Sequence, residues 1–250
     1  MGWGLLANLP LGRGCPYIPR MSQEVHALPA FYTSPPGEAA RWVLAPALSG
    51  FWPELRGMEV AAIGWGQPYL PLWQAEAARC LALVPEPVAE GVAPPAAVMP
   101  ELNLPLPDLS LDRILLIHAL EHVERPDALL RECWRVLREN GRLLVVVPNR
   151  LGWWSLTDHT PFGQGRPYSR GQIKRLLRSR LFTVERRENA LYVPPFSSRW
   201  ALAGTRLWEG AGRRLFPRFG GVILAEARKE VLGGLPTGTV PKRRVVEMPV

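Results

Sequence analysis

The sequence is poor in cysteine, in lysine and in long apolar runs. Its three cysteines, Cys15, Cys80 and Cys133, stand far apart with no C-x-x-C spacing, which argues against a disulfide framework and against a thiolate metal centre. No run of 18 apolar residues is present, so nothing reads as a membrane span and no membrane partner is expected. The opening MGWGLLANLPLGRGCPYIPR lacks a charged n-region and a small-residue cleavage site, and is not read as a signal peptide. A reducing, cytoplasmic setting is the expectation. Residues 1–25 are expected to be a loose or mis-assigned extension, residues 26–235 a single domain, and 236–250 a flexible basic tail. Within that domain, 150–215 is expected to hold the substrate-side loop and helices.

Of the 30 basic residues only Lys174, Lys229 and Lys242 are lysines. Charge is also unevenly placed. Residues 1–150 hold 12 Lys and Arg against 15 Asp and Glu, whereas 151–250 hold 18 against 7. An anionic partner such as RNA is one explanation for the basic second part; a general bias toward arginine is the other.

Against these absences stands a set of short apolar runs. EVAAI leads into Gly64–Trp65–Gly66, followed by a segment that reads as helical; RCLALV is a second run, and Ala97–Met99 a short third. LDRILLI and RLLVVVP are buried-strand runs flanking RPDALLRECWRVLREN, a helix opened by Pro126 and stopped by Gly141. SRGQIKRLLRSRLF reads as an amphipathic helix capped by Ser169, with Ile173, Leu176, Leu177 and Leu181 inward. Two more strands lie in FTVERRENA and GGVILAEARKEV, with a helix between them carrying Trp200, Leu202 and Leu207 on its apolar side. Alternating strands and helices with short links predict an α/β, Rossmann-like, doubly wound and mostly parallel sheet with helices on both faces. Right-handed crossovers then bring the loops after each strand to one carboxyl edge.

His118, Glu121 and His122 spell H-x-x-E-H, a zinc-peptidase signature. That chemistry needs both imidazoles on one helix face and a third ligand from elsewhere. His118 instead follows a strand directly, and His26 and His159 offer no helix-borne third ligand, so no metal is expected here.

Residues 104–149, LPLPDLSLDRILLIHALEHVERPDALLRECWRVLRENGRLLVVVPN, resemble the type-11 family of class I S-adenosylmethionine-dependent methyltransferases. Members commonly show LPFPDxSFDxVxxxxxLEHV and, after a helix, GGxLxxxxPN. The resemblance implies a seven-stranded sheet with a reversed last strand, S-adenosylmethionine as cofactor and a small-molecule acceptor. It places the cofactor at Gly64, Trp65, Gly66 and His118. Close ligand approach at the glycines implies that Gly66→Val blocks binding and spares the fold. The chain departs from the family pattern, with Pro68 at the third glycine, Ala62 before the loop and Val84 ending strand two. Glu86, and Glu101 with Leu102, are the remaining candidates for the ribose and adenine ends. His122 and His159 are candidate bases, and Arg166 and Tyr168 candidates for orienting the acceptor, each weighed against a structural role. Loss of these anchors motivates a second possibility, a degenerate methyltransferase fold serving as a scaffold. The two displaced acids are separable by titration calorimetry. Glu101→Ala is expected to weaken S-adenosylhomocysteine about tenfold, ~1.4 kcal/mol for one lost hydrogen-bonded contact, and Glu86→Ala by less.

Overall fold

The computed structural model describes residues 27–84, 96–98, 103–157, 159–195 and 204–231. Seven strands form one sheet: β1 (Glu59–Gly64), β2 (Arg79–Val84), β3 (Ala96–Val98), β4 (Leu111–Ile117), β5 (Leu137–Pro148), β6 (Phe182–Ala190) and β7 (Val222–Lys229). Their order is β3-β2-β1-β4-β5-β7-β6. The first five run parallel, and β7 lies antiparallel between β5 and β6. This is the expected mostly parallel, seven-stranded, doubly wound sheet with its reversed strand. Neighbouring β1 and β4 are separated in the chain by β2 and β3, so the strand order reverses between them. A crevice opens at such a point, outside the carboxyl ends of the strands.

Strand alternation sorts the core into two layers. Val60, Ala62, Leu115, Ile117, Leu144 and Val146 face one side, covered by Leu44 and Leu48 of helix α2 (Pro35–Phe51) with α1 (Ala27–Tyr32) beside it. Ala61, Ile63, Ile114, Leu116, Leu143 and Val145 face the other. There they meet Leu129, Leu130 and Cys133 of α3 (Pro126–Val136) and Ile173 and Leu177 of α5 (Arg170–Ser179). A one-turn helix, α4 (Pro161–Gln164), and α6 (Thr205–Leu215) are the remaining α-helices among the described residues.

Several elements depart from the sequence expectation, each for a local reason. α2 was not foreseen, because Pro46 interrupts its middle. Its start is nevertheless encoded, with Ser34 accepting from the Gly37 amide, prolines at the first positions and Glu38 in the first turn. α3 ends at Val136, not at Asn140 before the expected Gly141 stop. Leu137 takes an extended conformation and opens β5, pairing with Leu111 of β4. Ser169 and Gln172 form a reciprocal capping box on α5, as the sequence suggested. Leu181, expected inward, is exposed in a left-handed turn after that helix. Leu207, expected on the apolar side of α6, is 79% exposed. Trp200, Leu202, Glu86, Glu101, Leu102 and the two terminal segments lie outside the described residues.

α3 also explains the L-P-L-P-D run before β4. The Arg135 guanidinium donates to the carbonyls of Leu104 and Leu106 and to Asp108, while Glu132 accepts from the Leu104 amide and pairs with Arg135. One ion pair thereby fixes how the chain enters β4. Arg135 beside it holds the Glu132 carboxyl below its ordinary value, against a smaller opposing effect of burial. Stability from a depressed carboxylate is full above its unfolded value near 4.5 and is lost as pH falls through the lower folded value. Glu132→Gln is therefore expected to lower the melting temperature at pH 7 and to flatten its decline below about pH 4.5. Melts recorded from pH 7 to pH 3 check this.

Candidate functional site

β1 ends in a turn pressed against the end of β4. Gly64 has φ +91°, and a Cβ there would lie 2.2 Å from the Ile117 carbonyl oxygen. The Trp65 amide donates to that same oxygen at 2.9 Å. A Cβ on Gly66 would lie 2.3 Å from the Ala62 side chain. Both glycines are thus required by the chain's own close approach, whatever else the turn receives. The helix expected after Gly66 does not form. Pro68 and Pro71 withhold two amide donors, and only a 3-10 turn at Leu70–Leu72 follows. Trp65 packs in the core with its indole N–H unpartnered. Gln67 is 3% exposed, and neither atom of its amide has a partner in the chain.

On the β4 side, His118 sits in the left-handed region at φ +51°, an uncommon conformation for a residue with a Cβ. Residues 118–122 turn sharply, with the His122 and Val123 amides donating to the Ala119 carbonyl. The two imidazoles therefore share no helix face, and the peptidase arrangement is not built. His118 is fully buried. Its Nε2 is 2.9 Å from the Tyr32 hydroxyl, which accepts in turn from Tyr69 at 3.2 Å. Its Nδ1 lies 3.5 Å from Glu121 Oε1. Glu121 is buried with neither carboxylate oxygen hydrogen-bonded, and His122 is half-buried. One ligand-type atom from each of the three falls within 4.8 Å of the others.

Burial pushes the His118 pKa down, and nearby Glu121 opposes this only in part. Burial alone would raise the Glu121 carboxyl, but contact with His118 and proximity to His122 bring it below its ordinary value. Burial raises the Tyr32 phenol well above its usual range. The edge thus carries a neutral tyrosine–histidine chain ending at a buried carboxylate.

The loop after β5 covers this group. Its neck is closed by two backbone bonds, Tyr168 amide to Pro148 carbonyl and Arg150 amide to Tyr168 carbonyl. Asn149 fastens the neck to β7 through bonds from its side-chain amide to the carbonyls of Arg218 and Gly220. A Cβ on Gly165 would meet the Glu121 side chain at 2.7 Å, and the Arg166 amide donates to the Glu121 carbonyl. Phe162 packs tilted against the His118 ring at 4.6 Å, and Trp154 meets Phe162 edge-on at 5.5 Å. Beyond Trp154 lies an apolar cavity of about 460 Å³, lined by Trp153, Val193, Trp208 and Phe216 among others.

The structure therefore brings Gly64, Trp65, Gly66, His118 and His122 to one edge. His159 and the Arg166 side chain are exposed on the covering loop, and His159 is not part of the three-residue group. Tyr168 uses its hydroxyl on the Leu120 carbonyl, pinning loop to edge, and burial pushes its pKa up to about 12. Sequence reading missed Tyr32, Tyr69, Gln67 and Phe162. Only Gln67 carried a signal, its place beside the second glycine; Tyr32 meets His118 across 86 residues.

The strand order, the reversed β7 and a glycine turn closed onto β4 define the class I S-adenosylmethionine-dependent methyltransferase fold. Within it, residues 63–145, about a third of the chain, match the family model described as a methyltransferase domain. A protein of Mycobacterium tuberculosis named "Probable S-adenosylmethionine-dependent methyltransferase" is 46% identical over 49 residues, 20% of this chain and 18% of that protein. A similarly named protein of Mycolicibacterium smegmatis is 36% identical over 85 residues, 33% of each. The matched stretches thus span a third or less of these curated relatives. A solved methyltransferase structure from Thermotoga maritima superposes with a TM-score of 0.59 at 17% identity, over 84% of this chain and all of the other.

S-adenosylmethionine is the cofactor of this fold. The residues present suit its amino-acid end, since the indole N–H of Trp65 and the Gln67 amide are buried hydrogen-bonding groups left without partners at the turn. Ala62 and Val84, where the family has acids, are core residues and supply nothing polar. One sequence expectation is revised. Gly66→Val was expected to spare the fold, whereas a Cβ at that position collides with Ala62. Gly66→Ala is now expected to destabilise the protein by about 1–3 kcal/mol, read as a lowered melting temperature without ligand.

Proposed function

We propose that this protein transfers a methyl group from S-adenosylmethionine to a small-molecule acceptor bound between the Gly64–Gly66 turn and the loop 150–168. The observation that carries this is the meeting, at the strand-order reversal, of unpartnered buried polar groups on Trp65 and Gln67 with the His118–Glu121–His122 group. When bound, the cofactor supplies an electrophilic methyl on sulfur. The protein's part is to align the acceptor with that methyl and to keep water out. Phe162, Trp154 and the Gly165–Tyr168 stretch exclude water over His118. His122, the half-buried member of the group, is the proposed proton acceptor for an acceptor hydroxyl or amine, with Glu121 and His118 orienting it. His159 stands second for that role, and Arg166 on the same loop suits an anionic substituent. An apolar body on the acceptor would match the cavity beyond Trp154. Glu86, Glu101 and Leu102 remain the proposed contacts for the ribose and adenine.

Thermal shift with S-adenosylhomocysteine is the direct test. A ligand at 100 times its dissociation constant adds about 2.7 kcal/mol, roughly 5–10 °C for a chain of this size. An unchanged melt at millimolar ligand, together with a shift produced by single-stranded RNA, would overturn the enzyme reading in favour of a scaffold.

A further inference from the structure

The buried group at the end of β4 holds more than an acid–base pair requires. Glu121 places both carboxylate oxygens in the interior without a hydrogen-bond donor, a costly arrangement when nothing answers it. His118 Nδ1 beside it is likewise buried and without a hydrogen-bond partner. Their separation, 3.5 Å, is too long for a good hydrogen bond. It is, however, close to the ~3.4 Å between two ligand atoms that share a tetrahedral zinc with bonds of ~2.1 Å. The other nitrogen of His118 is already committed to Tyr32, itself held by Tyr69. An outer partner of this kind is what sets a ligating imidazole's tautomer and angle. His122 completes a set of two imidazoles and one carboxylate within 4.8 Å. The backbone holds the set by a left-handed residue at position 118 and a turn onto the Ala119 carbonyl.

The sequence alone argued against a metal because a helix would be needed to bring the two imidazoles together. The turn does this without a helix. We propose that His118 Nδ1, one Glu121 oxygen and His122 bind a divalent transition ion, with zinc the best match to two nitrogens and an oxygen. Three protein ligands leave a fourth position open on the half-buried His122 side. Resting on the methyltransferase reading, this deepens it. With its lone pair on the metal His122 gives up the base role, and an acceptor hydroxyl taking the open position loses its proton more readily, that proton passing to His159, the second candidate base, or to solvent. The oxygen then forms its bond to the methyl carbon as the carbon–sulfur bond breaks and its electron pair returns to sulfur. The acceptor class is accordingly a hydroxylated or otherwise metal-coordinating molecule.

The experiment uses the full chain, expressed without a histidine tag, dialysed against micromolar zinc or cobalt(II), and measured by mass-spectrometric metal analysis and melting. About one equivalent of metal per chain is expected, with chelation lowering the melting temperature and cobalt giving visible absorption characteristic of imidazole ligation. His122→Ala and Glu121→Gln should each lower the bound metal at least tenfold and abolish the effect of chelator on the melt. Absence of metal in wild type with a melt indifferent to chelator overturns the proposal. So does a Glu121→Gln protein that melts higher than wild type, since that would mean a buried charge with no cation to answer it. Metal bound without any response to S-adenosylhomocysteine would overturn the transferase reading alone; the reverse result would overturn the metal alone.

Discussion

The carbonyl oxygen of Ile117 organises the whole functional edge. It receives the Trp65 amide, and it lies where a side chain on Gly64 would have to go. Because β1 turns on that point, the loop that follows it and the residues that follow β4 share one small volume. Without that contact, His118 and Gln67 would sit at the ends of neighbouring strands with no reason to converge. The requirement is steric and backbone-borne, which is why two glycines survive in a turn that has lost the third glycine and both neighbouring acids of its family pattern.

The absence of a helix after β1 is compensated by the segment that precedes β1. In most doubly wound sheets that helix covers one face and offers its N-terminus to an anionic ligand. Here α2 lies over the face through Leu44 and Leu48. Trp52 and Trp73 close the space between, with Trp73 donating to the Trp52 carbonyl and Trp52 donating to Glu226 in β7. Tyr32, at the end of α1, then reaches the site from a part of the chain that has no motif. Hydrogen-bonding side chains and an aromatic shell thus stand where a helix terminus would have stood.

What could be read from the residues was whatever is encoded locally. Pro126, the Ser169–Gln172 box and the β-branched runs of β4 and β5 announced themselves, and the parallel order followed from strands alternating with helices. What could not be read depended on partners far along the chain. Leu137 has the periodicity of a helix residue but pairs with Leu111, so the helix ends four residues early. Leu181 and Leu207 keep helical spacing yet face solvent, because packing decides which apolar residues are covered. His118 was judged by its neighbours in sequence, a strand before and a turn after. Its actual neighbours are a tyrosine 86 residues away and a phenylalanine from the covering loop. The H-x-x-E-H spelling therefore marks residues that do lie together, but through a turn and not through a shared helix face.

The closed neck of the covering loop has an evolutionary consequence. Pro148, Arg150 and Tyr168 bond to one another before the chain returns to the sheet, and Asn149 fixes that knot to β7. Register in the sheet is set outside the loop, so changes at its exposed positions, such as Leu151, Trp153 and Leu156, need not propagate into the strands, whereas Trp154 and Phe162 belong to the core. Such positions can drift while the domain beneath them stays constant. Lineages that share this scaffold are free to change the outer face of the loop without relearning how to fold, while the aromatic pair over His118 is held by the core.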